Sequence, residues 1–337
     1  MPKLPMQLLK RIFICFTVSA FSLGVIGIFR FGLNSSETKL IPQFLSPSVS
    51  KSVIEFLPYV QRFDPSRICG SRGLVLVNSA PKNLLNRQAI RETWGHPAMT
   101  RSSNLTVAFG FGKSEDIISE RQLNWESAVY GDVFHSPFAD TFETLPKKVL
   151  SLLDTAYKAC PEPIPFIIKV DDDVFVNLFS LEDLITELHT HAKEKKIWCL
   201  VWERMPVIRS PESKYLVHHS DFNESTYPAY CSGPAYILSS VALKAILKQF
   251  YETEKGETSF PLEDVYITGI LAKASRLLHV QIGTRYAFSS LNEKDVTSGK
   301  TIFAHLGSTA AESIKYFWNV LMSKKTDVLK KHTTALT

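Results

Sequence analysis

From Leu74 onward the chain switches between two periodicities, short apolar runs alternating with segments of helical spacing. Leu74 to Val77 is an apolar run closed by Asn78-Ser79-Ala80-Pro81, the pattern of a strand and its exit loop. In the next segment, Asn83 to Trp94, Arg87, Ile90, Arg91 and Trp94 recur on one helical face. Leu105 to Phe111 predicts a second strand, Glu115 to Tyr130 a helix and Asp132 to Phe134 a strand. Pro146 to Cys160 predicts a helix with Val149, Leu152, Leu153 and Ala156 inward. Beyond a central strand at Phe166–Val170, a helix is expected over Leu181 to Ala192, a strand over Ile197 to Trp202 and a helix over Tyr266 to Ala274. Strands alternating with helices predict an α/β domain with a largely parallel sheet.

The central strand runs into three acids, FIIKVDDDVFVN over Phe166–Asn177. Phe166, Ile167, Ile168 and Val170 suit a strand covered on both faces. Asp171, Asp172 and Asp173 then fall at the carboxyl edge of the sheet, where ligands bind in α/β folds. In an extended chain Asp171 and Asp173 share a face and Asp172 points away. Adjacent carboxylates repel, and a hard divalent cation, Mg²⁺ or Mn²⁺, relieves that repulsion while taking further oxygens from a phosphate. An acidic turn or a helix cap is the alternative.

Other candidates are weaker alone. Arg87 and Arg91 suit a diphosphate, or pair with nearby acids. Gly112-Lys113-Ser114 ends like a phosphate loop, but Val107 stands where that motif needs glycine. Tyr227 to Ser239 (YPAYCSGPAYILS) combines rings and small residues, as in a sugar-binding wall or simply a packed strand. Glu263 and Asp264 precede a helix, as caps or with one as general base; a helix terminus would keep its pKa low. His305 follows Ile302-Phe303-Ala304, a core residue or a ligand.

The chain has 337 residues and a formal charge of +5, with no basic stripe interleaved with aromatics; a nucleic-acid surface is not expected. Ile12 to Phe29 is uncharged and as a helix would reach about 27 Å, near the thickness of a bilayer core. Lys3, Lys10 and Arg11 precede it, which sets that end in the cytosol and the rest across the membrane. The expected organisation is a cytosolic tail at 1–11, an anchor at 12–29, a Ser- and Pro-containing stem at 30–66 with a possible short helix at Val53–Phe63, a lumenal catalytic domain at 67–325 and a tail at 326–337. N-glycosylation sequons at Asn34, Asn104 and Asn223 agree with a secretory route. Cys69, Cys160, Cys199 and Cys231 fall on the lumenal side; four cysteines allow three pairings, and without a CxxC they do not resemble a zinc site.

Taken in order, LVLVNSAPKNLLNRQAIRETW, FADTFETLPKK, KVDDDVFVN, YPAYCSGPAYILS and LEDVYITG resemble the β1,3-galactosyltransferase family of Golgi type II membrane enzymes, over Leu74 to Asn319. The resemblance implies a glycosyltransferase-A fold, a Rossmann-like sheet flanked by helices, and a UDP-sugar donor. It makes Asp171–Asp173 the metal motif, with Asp173 as main ligand, Asp171 beside it and His305, ahead of Trp318, completing the site for Mn²⁺ or Mg²⁺. Asp264 becomes the base. Donor contacts fall to Ser79, Arg87, Arg91, Trp94, Asp140, Lys147 and Asp172, and acceptor contacts to Tyr230, Gly233 and Glu263. The implied reaction is inverting transfer of galactose to a glycan hydroxyl in β1,3 linkage on protein or lipid, in the Golgi membrane. N-acetylglucosaminyl or N-acetylgalactosaminyl transfer is the alternative, as is a non-catalytic chaperone or lectin-like relative. Phe142, where many members carry tyrosine, and Pro234-Ala235, where a glycine is usual at the second position, depart from the pattern.

Overall fold

Ten strands build two sheets among the described residues. The computed structural model describes residues 64–253, 258, 260–288 and 291–334, without the side chains of 327–334. The anchor expected at 12–29, Asn34 and the possible helix at Val53–Phe63 lie outside the described residues.

The central sheet has the order β3-β2-β1-β4-β7-β6-β8. Its strands are β1 (Gly73–Asn78), β2 (Leu105–Lys113), β3 (Val133–Ala139), β4 (Phe166–Asp171), β6 (Lys196–Trp202), β7 (Tyr230–Ser239) and β8 (Leu278–Gln281). A second sheet, order β5-β10-β9, joins β5 (Val174–Val176), β9 (Tyr286–Phe288) and β10 (Phe303–His305). The helices used below are α1 (Leu84–Glu92), α2 (Pro97–Ser102), α3 (Ile117–Tyr130), α4 (Leu145–Lys158), α5 (Leu178–Glu187), α6 (Ser240–Thr253), the π-wound α7 (Val265–Leu271), α8 (Glu293–Thr297) and α9 (Ala310–Thr334). The last runs through residues expected as a tail.

Alternation along each strand divides the apolar side chains between two cores. Leu74 and Leu76 of β1 join Val149, Leu152 and Leu153 of α4 and Leu243 and Ile246 of α6 on one face. Val75 and Val77 join Ala89 and Ile90 of α1, Leu181 of α5 and Ile314 and Trp318 of α9 on the other. Both faces are covered, so the central strands read as continuous apolar runs. Helix α5 starts at Leu178, ahead of the expected Leu181, because the Asn177 side chain caps it by accepting from Ser180 N.

The sheet is largely parallel but mixed, with one strand reversed. Strands β1, β2, β3 and β4 are parallel and β8 is parallel to β6, but β7 runs against both β4 and β6. The connection from β6 to β7 contains no helix to carry the chain back across a face, so β7 starts at the edge where β6 ends. That reversal brings Tyr230 and Gly233 to the edge on which the aspartates sit.

Cys69 bonds Cys160 and Cys199 bonds Cys231, the second pair tying β6 to β7; this settles the pairing that spacing left open. The bridges close sequence separations of 91 and 32 residues. Replacing Cys69 and Cys160 together by Ser should lower the unfolding free energy by about 4.6 kcal/mol, and replacing Cys199 and Cys231 by about 1 kcal/mol less, because the shorter loop restrains the unfolded chain less. Urea unfolding of the oxidised protein measures both. A larger loss for the short loop would mean that native contacts, not loop closure, set the effect.

Candidate active site

At Asp171 the chain leaves the central sheet, turns through Asp172 and Asp173, and enters the small sheet as β5. The three carboxylates therefore take three directions. Asp171 Oδ1 accepts from Asn78 Nδ2 at 2.9 Å and pairs with Lys169 Nζ at 2.8 Å. Asp172 turns inward and accepts from the Ser79 hydroxyl, from Asn83 Nδ2 at 3.0 Å and from Asn86 Nδ2 at 3.1 Å. Burial nevertheless holds its pKa above the usual carboxylate range. Expected as a donor contact, Asp172 instead fastens the start of α1 to the strand tip. Asp173 Oδ2 lies 3.1 Å from His305 Nε2. The antiparallel register His305↔Val174 makes that contact, reinforced by Leu306 N donating to Asp173 O. The Asp173 carboxylate raises the pKa of His305.

The other half of the site comes from β7 and the residues leading into α7. Asp264 Oδ1 accepts from Val265 N at 2.8 Å. Its Oδ2 stands over Gly233, where an added Cβ would come within 3.2 Å of it. Burial raises the Asp264 pKa despite the Val265 N–H and the nearby Lys169 ammonium, so the helix terminus does not keep it low as expected. Tyr230 is half-buried and its hydroxyl is pushed up to about 12, by burial first and then by Asp264. Glu263, expected to touch the acceptor, is buried: Tyr236 OH donates to its Oε1 at 2.7 Å and Lys169 Nζ lies 3.5 Å from its Oε2. Burial lifts its pKa to about 7 against the pull of Lys169.

Lys169 joins the two halves. It interrupts the apolar run of β4 two residues before Asp171, its side chain 2% exposed, and its ammonium donates to Gly233 O at 2.7 Å as well as meeting Asp171 and Glu263. Neither Lys169 nor Tyr236 is among the residues expected from sequence. The available signal was a lysine within a doubly covered strand, a residue almost never buried without partners.

The arginines are not brought to the edge. All five N–H groups of Arg87 are engaged, with Glu126, Ser79 Oγ, Ala80 O and Pro81 O. Arg91 pairs with Asp132 and Glu126 and stacks on Phe109 and Tyr130. It lines a cavity of about 720 Å³ at the start of β2, with Pro97, Thr106 and Tyr130. Trp94 is fully buried in the core beside α1. Of the two adjacent lysines, Lys147 is half-buried, while Lys148 is buried and donates to Ser79 O and Asp140 Oδ2, both at 2.8 Å. Asp140 also accepts from Gly112 N. These residues support the edge from behind.

Two acceptor oxygens here, Asn78 Oδ1 and Asp173 Oδ1, are buried without a donor. Among the described residues no group of three or more His, Cys, Asp and Glu stands at ligand spacing. A hard cation held by one carboxylate and one imidazole, with water and substrate oxygens filling its other positions, suits this donor set and supplies the missing partner.

The galactosyltransferase family model matches residues 85–282, more than half of the chain. The chain belongs to this family. The galactosyltransferase match spans Asp171–Asp173 and Asp264 but stops short of His305, whose place beside Asp173 comes from the fold. The chain is 29% identical over 218 residues to human beta-1,3-galactosyltransferase 9, covering 64% of this chain and 57% of that protein. It is 33% identical over 208 residues to lactosylceramide 1,3-N-acetyl-beta-D-glucosaminyltransferase of Xenopus tropicalis, covering 59% and 53%. It thus spans little more than half the length of these relatives. Among solved structures, mouse xyloside xylosyltransferase 1 in its apo form aligns over 71% of this chain and 98% of that one, at 12% identity and a TM-score of 0.35, too loose a likeness to bear on the site.

Between pH 5 and 7 the folded chain holds a proton on Glu263 that the unfolded chain, with the ordinary value of 4.5, has released. Stability should therefore fall as pH rises through that window, and Glu263→Gln should flatten the fall. Urea unfolding of both proteins at pH 5 and pH 7 measures it; equal slopes in the two would reject Glu263 as the source.

Proposed function

We propose that this galactosyltransferase-family chain transfers galactose from a UDP-sugar to a hydroxyl of an acceptor glycan, with inversion, forming a β1,3 linkage. The observation carrying the reading is the Lys169 ammonium, which joins the aspartate edge to the Glu263–Asp264 pair, so that a leaving-group site and a base share one sheet edge. A glycosyltransferase-A fold, a Golgi lumenal setting and anchorage through residues 12–29 belong to the same reading. The exposed sequons Asn104 and Asn223 support it.

Asp173 and His305 are the residues that would hold Mn²⁺ or Mg²⁺, while Asp171, expected to join them, is taken up by Lys169 and Asn78. Bound there, the cation would neutralise charge developing on the UDP leaving group. Asp264 takes the proton of the acceptor hydroxyl as that oxygen attacks the anomeric carbon from the face opposite UDP. One C–O bond forms, the bond to the diphosphate breaks, and an α-linked donor gives a β-linked product. A carboxylate whose pKa burial raises against the pull of a neighbouring ammonium gains proton affinity for this step. Lys148 and Asp140, tied to Ser79 and Gly112, brace the loops on the donor side.

N-acetylglucosamine is the second donor to consider, because the Xenopus relative is named for its transfer and is 33% identical to the chain, against 29% for human beta-1,3-galactosyltransferase 9. A screen of UDP-sugars against a panel of simple glycosides, with and without Mn²⁺, decides between them, and no transfer from any donor would overturn the reading. Asp264→Asn should leave UDP affinity within about twofold and lower turnover by roughly two to four decades, the scale of a lost general base. An active variant would reject Asp264 as the base. Asp173→Ala should abolish Mn²⁺-dependent UDP binding in calorimetry; unchanged affinity would reject the metal assignment.

A further inference from the structure

Glu263 precedes the base in sequence and was expected to face the acceptor, yet both of its carboxylate oxygens are engaged inside the protein and only 5% of the residue is exposed. Its partners come from two different strands, Tyr236 on β7 and Lys169 on β4. The Lys169 ammonium has three N–H groups and meets three acceptors on three segments: Asp171 of β4, Gly233 O of β7 and Glu263 at the entry to α7. On the far side of Asp264, Thr268 Oγ1 donates to Asp264 O at 2.6 Å and itself accepts from Cys231 N at 2.9 Å. The backbone at Asp264 is therefore tethered from both sides, while its Oδ2 faces Gly233, where a methyl group would stand only 3.2 Å from it.

We propose that Glu263 is a positioning residue: clamped by Tyr236 and Lys169, it fixes the depth at which the Asp264 carboxylate stands over Gly233, and it does not touch the acceptor. This rests on Asp264 being the base. Displacement of a reacting group by about 1 Å costs on the order of a hundredfold in rate, so a clamp that holds position acts on turnover and not on binding.

The test uses the best donor–acceptor pair from the UDP-sugar screen, with Mn²⁺-dependent UDP affinity measured alongside. Glu263→Gln should lower kcat by about a hundredfold and Tyr236→Phe by about tenfold, with the acceptor KM and the UDP Kd within twofold of the parent. The double variant should be no slower than Glu263→Gln alone, because Tyr236 acts through Glu263. A raised acceptor KM at unchanged kcat would make Glu263 an acceptor contact and overturn the proposal. So would unchanged kcat with only a lowered Tm, or losses that multiply in the double variant. Where Glu263→Gln fails to fold, Tyr236→Phe carries the test alone. Asp264→Asn run in parallel separates the two levels: if it stays active the base assignment falls and the proposal with it. If it is inactive while Glu263→Gln and Tyr236→Phe keep full turnover, only the clamp is rejected.

Discussion

A lysine ammonium enclosed in protein must find an acceptor for each of its N–H groups and an opposite charge nearby, or its loss of water costs several kcal/mol. Lys169 meets that demand with two carboxylates and a carbonyl drawn from three separate segments. The dependence runs both ways. Without the cation, Asp171, Glu263 and Asp264 would repel one another in a poorly solvated region. With it, burial first and the neighbouring acids second still outweigh the ammonium's pull, and Glu263 and Asp264 keep raised pKa values.

A second buried charge network stands behind the strand tip. Glu126 of α3 receives Arg87 and Arg91, and Arg91 also holds Asp132 before β3. Arg87 passes the restraint forward through Ser79 to Asp172. Breaking such a pair is far costlier than never having built it, because it strands a charge away from water. The arginines that sequence offered as diphosphate ligands are thus the frame of the site, and the family motif containing them is satisfied by architecture. Lys148 does the same from α4, fixing Ser79 and Asp140 together.

The small sheet has a distinct task. The central strand ends at Asp171, and the chain's step into β5 lets β10 approach from a segment 132 residues later, bringing His305 to Asp173. Two buried acceptor oxygens at this junction, Asn78 Oδ1 and Asp173 Oδ1, find no donor there. The loop connection that reverses β7 supplies the opposite wall.

Much of the fold was legible in the chain itself, because apolar spacing is a local property. The positions of β1, β2, β4 and β6 and of α1, α3 and α4 follow from runs and periods within a dozen residues, and the aspartates announce an edge through their own repulsion. What the sequence could not show is direction and company. Whether Arg87 reaches a phosphate or Glu126, whether Asp172 faces solvent or Asn83 and Asn86, and whether His305 meets Asp173 all depend on residues tens to more than a hundred positions away. The tertiary structure alone decided those partners, since a buried charge is placed by whichever distant groups can satisfy it and not by its neighbours in the chain.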